Sequence, residues 1–300
     1  MPCTENLTIF SPAKVNLHLA VKNRREDGFH DLESLFLALN FGDLLHFKVM
    51  DAISDEISMG NCPVPVLDNI IYKAIILFRQ KTGFSQKFNI IVEKRIPLGG
   101  GLGGGSSNAA ATLLALNKIL GSQGEALSFE ALLEMAAALG SDVPFFIHET
   151  PAARVSGRGE IIEPVHMPPM FLVLVNPGFP SDTARAFRLL DEKRKLGIFN
   201  HKPHEPVLRD ISSTLFMGNN IFNLSFYNDF LDVFPEEEQR IYYEIISALQ
   251  SQGARYANLS GSGATCFGIF DDEKQAQKAA ESLRGKWDFV EYCAKKGDCH

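Results

Sequence analysis

The stretch Pro97-Leu98-Gly99-Gly100-Gly101-Leu102-Gly103-Gly104-Gly105-Ser106-Ser107-Asn108 decides how the chain is read. It holds six of the 24 glycines. A missing Cβ admits left-handed backbone and lets a ligand approach the main chain, at an entropic cost that a mere linker would not require. Before it, Phe88 to Ile96 has the pattern of a strand; after it, Ala109, Leu113, Leu116 and Leu120 form one apolar helical face. The expected arrangement is strand, glycine loop, helix. Ser106 and Ser107 are expected at the helix start, where hydroxyls cap orphan amides and the aligned peptide dipoles place about half a positive charge. Such an end suits phosphate.

Other readings fit less well. A Walker A loop requires Lys directly after its last Gly, and Ser106 stands there. Gly99, Gly101 and Gly104 satisfy G-x-G-x-x-G, a weak match inside so glycine-dense a run. The acidic residue that a dinucleotide site wants about twenty positions on would be Glu125, which lies in a polar loop rather than after a second apolar strand. A flexible linker is out of place between two strongly patterned elements. The favoured reading is a phosphate cradle whose cationic partner comes from elsewhere in the chain.

The 300 residues, 45% hydrophobic, can bury a full core and are expected to divide into two domains. A net charge of −7 and a pI near 5.6 argue against a nucleic-acid surface, which needs a basic stripe. Cys3, Cys62, Cys266, Cys293 and Cys299 are scattered and odd in number, which indicates neither a disulfide framework nor a zinc site. His18, His46, His148, His166, His201, His204 and His300 show no metal spacing. No run approaches the ~18 apolar residues of a membrane span, and Met-Pro-Cys-Thr-Glu-Asn at the start lacks a basic region followed by an apolar stretch, so a soluble cytoplasmic protein is expected.

In chain order, Leu7 to Ile9 and Val15 to Val21 read as strands, the second with Lys14, Asn16 and His18 on one polar face. Leu35 to Leu39 and Leu44 to Val49 read as strands around a Phe41-Gly42-Asp43 turn. Asp68 or Asn69 caps a helix through Ile71, Ile75 and Phe78. Ser128 to Leu139 is helical, with Gly140 as its stop. Asp142 then follows in Gly140-Ser141-Asp142-Val143-Pro144-Phe145-Phe146, where by itself it reads as the cap of a short helix. A hairpin spans Ala153 to Ile162. In the second half, a strand over Met170 to Val175 precedes a helix from Thr183 to Leu190 and a long loop over residues 197 to 223. A helix from Glu237 to Gln250, the loop Ser260-Gly261-Ser262-Gly263, a strand to Phe270, a helix over Lys274 to Leu283 and a strand over Phe289 to Ala294 follow. That half is α+β on a common antiparallel sheet.

Three separated motifs, Ser11-Pro12-Ala13-Lys14-Val15-Asn16-Leu17, the glycine loop, and Leu259-Ser260-Gly261-Ser262-Gly263-Ala264, together resemble the galactokinase, homoserine kinase, mevalonate kinase and phosphomevalonate kinase (GHMP) superfamily. Arg25-Glu26-Asp27-Gly28-Phe29-His30-Asp31-Leu32, the Asp142 context and Asn228-Asp229-Phe230 narrow the match, which resembles the 4-diphosphocytidyl-2-C-methyl-D-erythritol kinase family over nearly the whole chain. The resemblance implies an α+β, two-domain GHMP kinase fold. Residues 1–165 would be the N-terminal ATP-binding domain and 166–300 a ferredoxin-like C-terminal domain, with the active site in the interdomain cleft. It implies ATP-dependent phosphorylation of the 2-hydroxyl of a CDP-linked methylerythritol, in the non-mevalonate isoprenoid pathway.

The resemblance also implies roles for named residues. Lys14 and Asp142 match the catalytic pair: Asp142 as general base, Lys14 holding that carboxylate ionised and offsetting charge on the transferring phosphoryl group. Pro97, Leu98, Gly99, Gly100, Gly101, Leu102, Gly103, Gly104, Gly105, Ser106 and Ser107 match the ATP phosphate loop. Asn69 and Lys94 fall where the family contacts adenine, although Lys94 alone could be a solvated strand charge. Asn16, His30 and Thr183 match substrate positions, with His30 on cytosine. Phe29 and Phe187 would offer two π faces to the base, although ordinary core is the commoner fate of Phe. Gly261, Ser262 and Gly263 would add backbone donors beside the substrate phosphates. Magnesium is expected with ATP, with no metal ligands announced by the sequence. The partners implied are ATP and the small-molecule substrate, with no nucleic acid and no membrane, on a monomer or weak homodimer. Open alternatives are a sister kinase of homoserine or mevalonate type, a non-catalytic nucleotide or sugar-phosphate binding protein, and a dinucleotide oxidoreductase.

Overall fold

A computed structural model describes residues 6–60, 65–199 and 226–297. The elements in order are β1 (Asn6–Arg24), β2 (His30–Met50), β3 (Glu56–Ser58), α1 (Ile70–Thr82), β4 (Lys87–Glu93), α2 (Gly104–Gly121), α3 (Phe129–Leu139), α4 (Val143–Ile147), β5 (Ala152–Gly157), β6 (Ile161–Pro164), β7 (Phe171–Asn176), α5 (Thr183–Lys195), α6 (Glu236–Ser251), β8 (Tyr256–Leu259), β9 (Cys266–Phe270), α7 (Glu273–Leu283) and β10 (Phe289–Ala294). They form two compact units, residues 1–13, 41–96 and 103–149 in one, residues 14–40, 97–102 and 150–300 in the other. The long strands β1 and β2 and the glycine loop therefore each contribute to both.

In the first unit, residues 44–50 of β2 pair antiparallel with β4, from Leu44 opposite Glu93 to Met50 opposite Lys87, and β3 runs parallel to β4. Helix α2 packs against α1, α3 and α4. The expected single apolar face of α2 is too narrow a description: every residue from Ser107 to Leu113 is buried. The small side chains Ala109, Ala110 and Ala111 permit that, because they let neighbouring helices approach without displacing volume.

In the second unit, residues 32–37 of β2 pair with β5, and β5 with β6. A separate sheet has the order β10-β7-β9-β8 with every pair antiparallel. Numbered by appearance that order is 4-1-3-2, the ferredoxin-like arrangement that the resemblance implies. Helices α6 and α7 lie on this sheet, and their inward residues Tyr242, Ile245, Leu249, Ala276 and Leu283 join Val173, Val175, Leu259 and Cys266 in one core. Among the described residues no helix is long and apolar enough to cross a membrane. Cys266 and Cys293 are free and buried, and burial pushes both thiols up; Cys3, Cys62 and Cys299 lie outside the described residues, as does the part of the expected loop from 200 onward.

Two sequence expectations change. The separate strands before and after residues 10–14 are one continuous β1, and the Phe41-Gly42-Asp43 turn is uninterrupted β2. Gly42 is needed for close approach, since a Cβ there would collide with the Ser11 carbonyl oxygen and sit 2.8 Å from the Phe10 ring. Asp43 is fully buried, with its carboxylate turned to other work.

Candidate active site

That work is at the exit of β4. One Asp43 oxygen accepts from the Arg95 and Ile96 amides, each at 2.8 Å, and the other from Lys94 Nζ at 2.7 Å. Lys94 also donates to the Ile96 carbonyl at 2.7 Å. Its side chain is 13% exposed, so it is not a solvated strand charge. The cluster fixes three residues immediately before the glycine loop. Asp43→Ala removes all three acceptor contacts and leaves a buried ammonium short of its counter-ion, a change that costs roughly 3–5 kcal/mol in comparable sites. Urea unfolding checks this, and a loss below about 1 kcal/mol would contradict it.

Beyond the cluster, the carbonyls of Gly99 to Leu102 are all bonded inside the second unit. Gly99 accepts from the Ser181 and Ala264 amides at 2.9 and 3.3 Å, Gly100 from Thr265 at 3.1 Å, and Leu102 from Lys14 at 3.0 Å. Gly101 accepts from the Ser260 hydroxyl at 3.0 Å. No main-chain acceptor among the described residues takes the amides of Gly99 to Leu102. The loop is thus anchored by its acceptors and keeps its donors, the polarity a phosphate requires. Gly101 has φ +71°, and a Cβ on it would fall on the Ser260 carbonyl oxygen.

The polar face of β1 joins this assembly. Lys14, Asn16 and His18 are as buried as Val15, Leu17 and Leu19, so each must find partners. The Lys14 ammonium donates to Asn16 Oδ1 at 2.6 Å and lies 4.6 Å from the centre of the Phe36 ring, within cation–π range. Asn16 Nδ2 donates to Ser34 Oγ at 2.9 Å, and Ser34 to the His18 carbonyl at 2.5 Å. Asn16 N donates to Ser260 Oγ at 3.4 Å. Ser34, which sequence reasoning passed over, fixes the Asn16 amide and through it the carbonyl facing Lys14.

The loop after β8 is held from below by Asn228, whose Nδ2 donates to the Leu259 and Gly261 carbonyls, both at 2.8 Å. The Thr183 and Ser262 hydroxyls are 2.8 Å apart, and Ser181 donates to the Ser262 carbonyl at 2.6 Å. Thr183 and residues 261–263, named separately from sequence, thus meet.

In the first unit, α2 begins at Gly104 after Gly103, which has φ +68° and supplies no side-chain cap. The expected capping by Ser106 and Ser107 is corrected, because both lie inside the first turn; the Ser11 hydroxyl is 2.7 Å from both Ser107 Oγ and Asn108 Oδ1 and donates its one proton to one of them. Glycine at residues 103, 104 and 105 puts no side chain over the first amides, and no side-chain cap closes the dipole end. Asn69 caps α1, accepting from the Ile71 amide at 3.0 Å. Asp142 occupies the N-cap position of α4 but makes no cap bond. An N-cap side chain reaches the next amides from extended backbone, and Asp142 is helical at φ −86°, ψ −13°.

His30 opens β2 in the second unit and is buried. Its ring is stacked on Phe187, with centroids 5.0 Å apart and planes at 20°, and Phe187 meets Phe230 edge-on at 4.9 Å. One face of Phe187 is therefore already taken by His30. Phe29 is 51% exposed, with the Arg158 guanidinium 5.0 Å from its ring centre. His30 Nε2 is 2.8 Å from Asp191 Oδ1, a partner absent from the sequence reading. Four positions after Phe187 on α5, it lies on the same helical face.

The family models described as GHMP kinases N terminal domain and GHMP kinases C terminal match residues 69–150 and 219–288. A 4-diphosphocytidyl-2-C-methyl-D-erythritol kinase from Thermodesulfovibrio yellowstonii is 36% identical over 286 residues, covering 94% of this chain and 95% of its own. The chain belongs to the 4-diphosphocytidyl-2-C-methyl-D-erythritol kinase family. A crystal structure of a 4-(cytidine 5'-diphospho)-2C-methyl-D-erythritol kinase agrees with that membership, with a TM-score of 0.78 at 31% identity over 97% of this chain and all of that one. The homoserine kinase from Cytophaga hutchinsonii, with a TM-score of 0.68 at 17% identity over 99% of this chain and 96% of its own, shares the fold alone. Membership of the kinase family disposes of the oxidoreductase reading.

Proposed function

We propose that the chain transfers the γ-phosphoryl group of ATP to the 2-hydroxyl of 4-diphosphocytidyl-2-C-methyl-D-erythritol, giving the 2-phosphate and ADP, in the non-mevalonate route to isoprenoid precursors. The observation that carries this is the family match across almost the entire chain. In the reaction a bond forms between the acceptor oxygen and the γ-phosphorus while the bond to the ADP oxygen breaks. Asp142 takes the hydroxyl proton, and Lys14 offsets charge on the phosphoryl group. Phosphoryl transfer asks a protein mainly for positioning and electrostatics. The burial of Lys14 and its bond to Asn16 support a fixed cation.

Residues 97–107 cradle the ATP phosphates, with Asn69 and Lys94 towards adenine; the unspent amides of Gly99 to Leu102 support this. Asn16, Phe29, His30, Thr183, Phe187 and residues 261–263 bind the acceptor. The division at residues 165 and 166 into N- and C-terminal modules is supported by family matches ending at 150 and resuming at 219. Among the described residues no group of three or more His, Cys, Asp or Glu could hold a metal ion. Magnesium enters with ATP, held by phosphate oxygens and water with at most one or two carboxylates, as is usual for this ion. The enzyme works in the cytoplasm as a monomer or weak homodimer.

The test is ADP release with Mg-ATP and, in parallel, the cytidyl substrate, methylerythritol phosphate, homoserine and mevalonate. Turnover with the first alone is expected; turnover with homoserine or mevalonate would assign the chain a sister activity, and silence with all four would leave a binding protein.

A further inference from the structure

Helix α5 presents two side chains to one ring. Phe187 stacks on His30 and fixes its plane, while Asp191 bonds Nε2. The helix is itself tied to the end of β1, for Arg194 donates to the Val21 carbonyl and, at 2.9 Å, to the Lys22 carbonyl, while Lys193 donates to the Asp232 carbonyl at 2.8 Å. Arg24 is a further partner of Asp191, at 3.7 Å. An ionised carboxylate only accepts hydrogen bonds, so the proton of the Asp191 contact sits on His30 Nε2, which in the neutral form of an imidazole leaves the lone pair on Nδ1.

We propose that Asp191 is a positioning residue for nucleobase selection, fixing His30 as the Nε2–H tautomer so that Nδ1 accepts from the exocyclic amine of cytosine. This rests on the reading of His30 as the base-contacting residue. Cytosine carries an amine donor at the position where uracil carries a carbonyl acceptor. An imidazole acceptor therefore pairs with the first and faces a second acceptor in the other, leaving buried polar groups unmatched, which is how a site rejects a near-isostere. If the Asp191 acceptor is lost, the proton can move to Nδ1, and the preference is lost with it.

Two measurements separate the proposal from the reading beneath it. Nitrogen-15 NMR of the unliganded protein reports the His30 tautomer directly, and equilibrium binding of CDP against UDP reports base selection. Wild type is expected to show the Nε2–H form and to bind CDP more tightly. In Asp191→Leu, which removes the acceptor without lowering helix propensity, the tautomers should mix and the CDP-over-UDP ratio should fall by about fivefold to tenfold, the scale of one hydrogen bond. Asp191→Asn keeps an acceptor oxygen and should restore part of the ratio. An Nδ1–H tautomer in wild type overturns the proposal without any variant. An unchanged ratio in a folded Asp191→Leu protein overturns it also. Equal binding of CDP and UDP by wild type, with the tautomer as expected, overturns instead the reading of His30 as the base contact.

Discussion

Replacing Asp142 by Asn is expected to lower kcat by at least about a hundredfold while ATP still binds, because removal of a positioned proton acceptor typically costs roughly 10²–10⁴-fold. The substitution keeps shape and removes the negative charge together with the capacity to take a proton. Because the Asp142 side chain makes no cap bond to α4, the change removes no helix start. Single-turnover kinetics with saturating ATP, alongside ATP titration of the variant, separates chemistry from binding. Equal rates in wild type and the Asp142→Asn variant would remove Asp142 from the mechanism. Loss of ATP binding together with loss of rate would mean that the residue supports the nucleotide site rather than the proton transfer.

A second large effect is expected at Gly101. Left-handed backbone costs an L side chain about 1–2 kcal/mol, and the new methyl would fall on the Ser260 carbonyl and within 2.8 Å of the Gly263 carbonyl. Both obstacles are main chain, so neither can swing aside, and overpacking of this kind adds about 1–3 kcal/mol. Gly101→Ala should therefore destabilise the fold by about 3 kcal/mol and weaken ATP binding at least about tenfold, since the carbonyls of residues 99–102 hold the loop in place. Gly124→Ala is the control: its φ is +88°, yet nothing lies within 4 Å of the added Cβ. It should show the backbone cost alone, with full turnover. If the two variants lose equal stability, the contact between the glycine loop and residues 260–263 has no energetic weight.

Much of this arrangement is legible in the sequence because local signals and motifs agree. The strand, glycine loop and helix follow from periodicity and glycine density, and the ends of α3 and β10 fall where Gly140 and the Phe289 to Ala294 pattern put them. What is not legible is set by contacts distant in the chain. Gly42 reads as a turn residue because its real constraint is the carbonyl of Ser11, far back in the sequence on a paired strand. Asp43 reads as a turn acid for the same reason, and its bonds to Lys94, Arg95 and Ile96 close over about fifty residues. Ser34 and Asp191 carry no motif; only the 2.9 Å bond to Asn16 and the 2.8 Å bond to His30 give them a role. The Asp191 spacing from Phe187 was available, since i and i+4 share a helical face, but nothing in the sequence says that the face meets His30.

The central claim is that the phosphoryl group goes to one particular hydroxyl, and phosphorus-31 NMR of the product tests it most directly. Carbon 2 of 2-C-methylerythritol bears a methyl group and no hydrogen. Incubation with Mg-ATP and the cytidyl substrate is expected to give ADP and one new phosphate monoester resonance unsplit by a three-bond proton coupling, with the diphosphate resonances of the substrate intact. A monoester split by neighbouring protons would place the phosphate on a different hydroxyl, and ATP left unconsumed would contradict the assigned activity altogether.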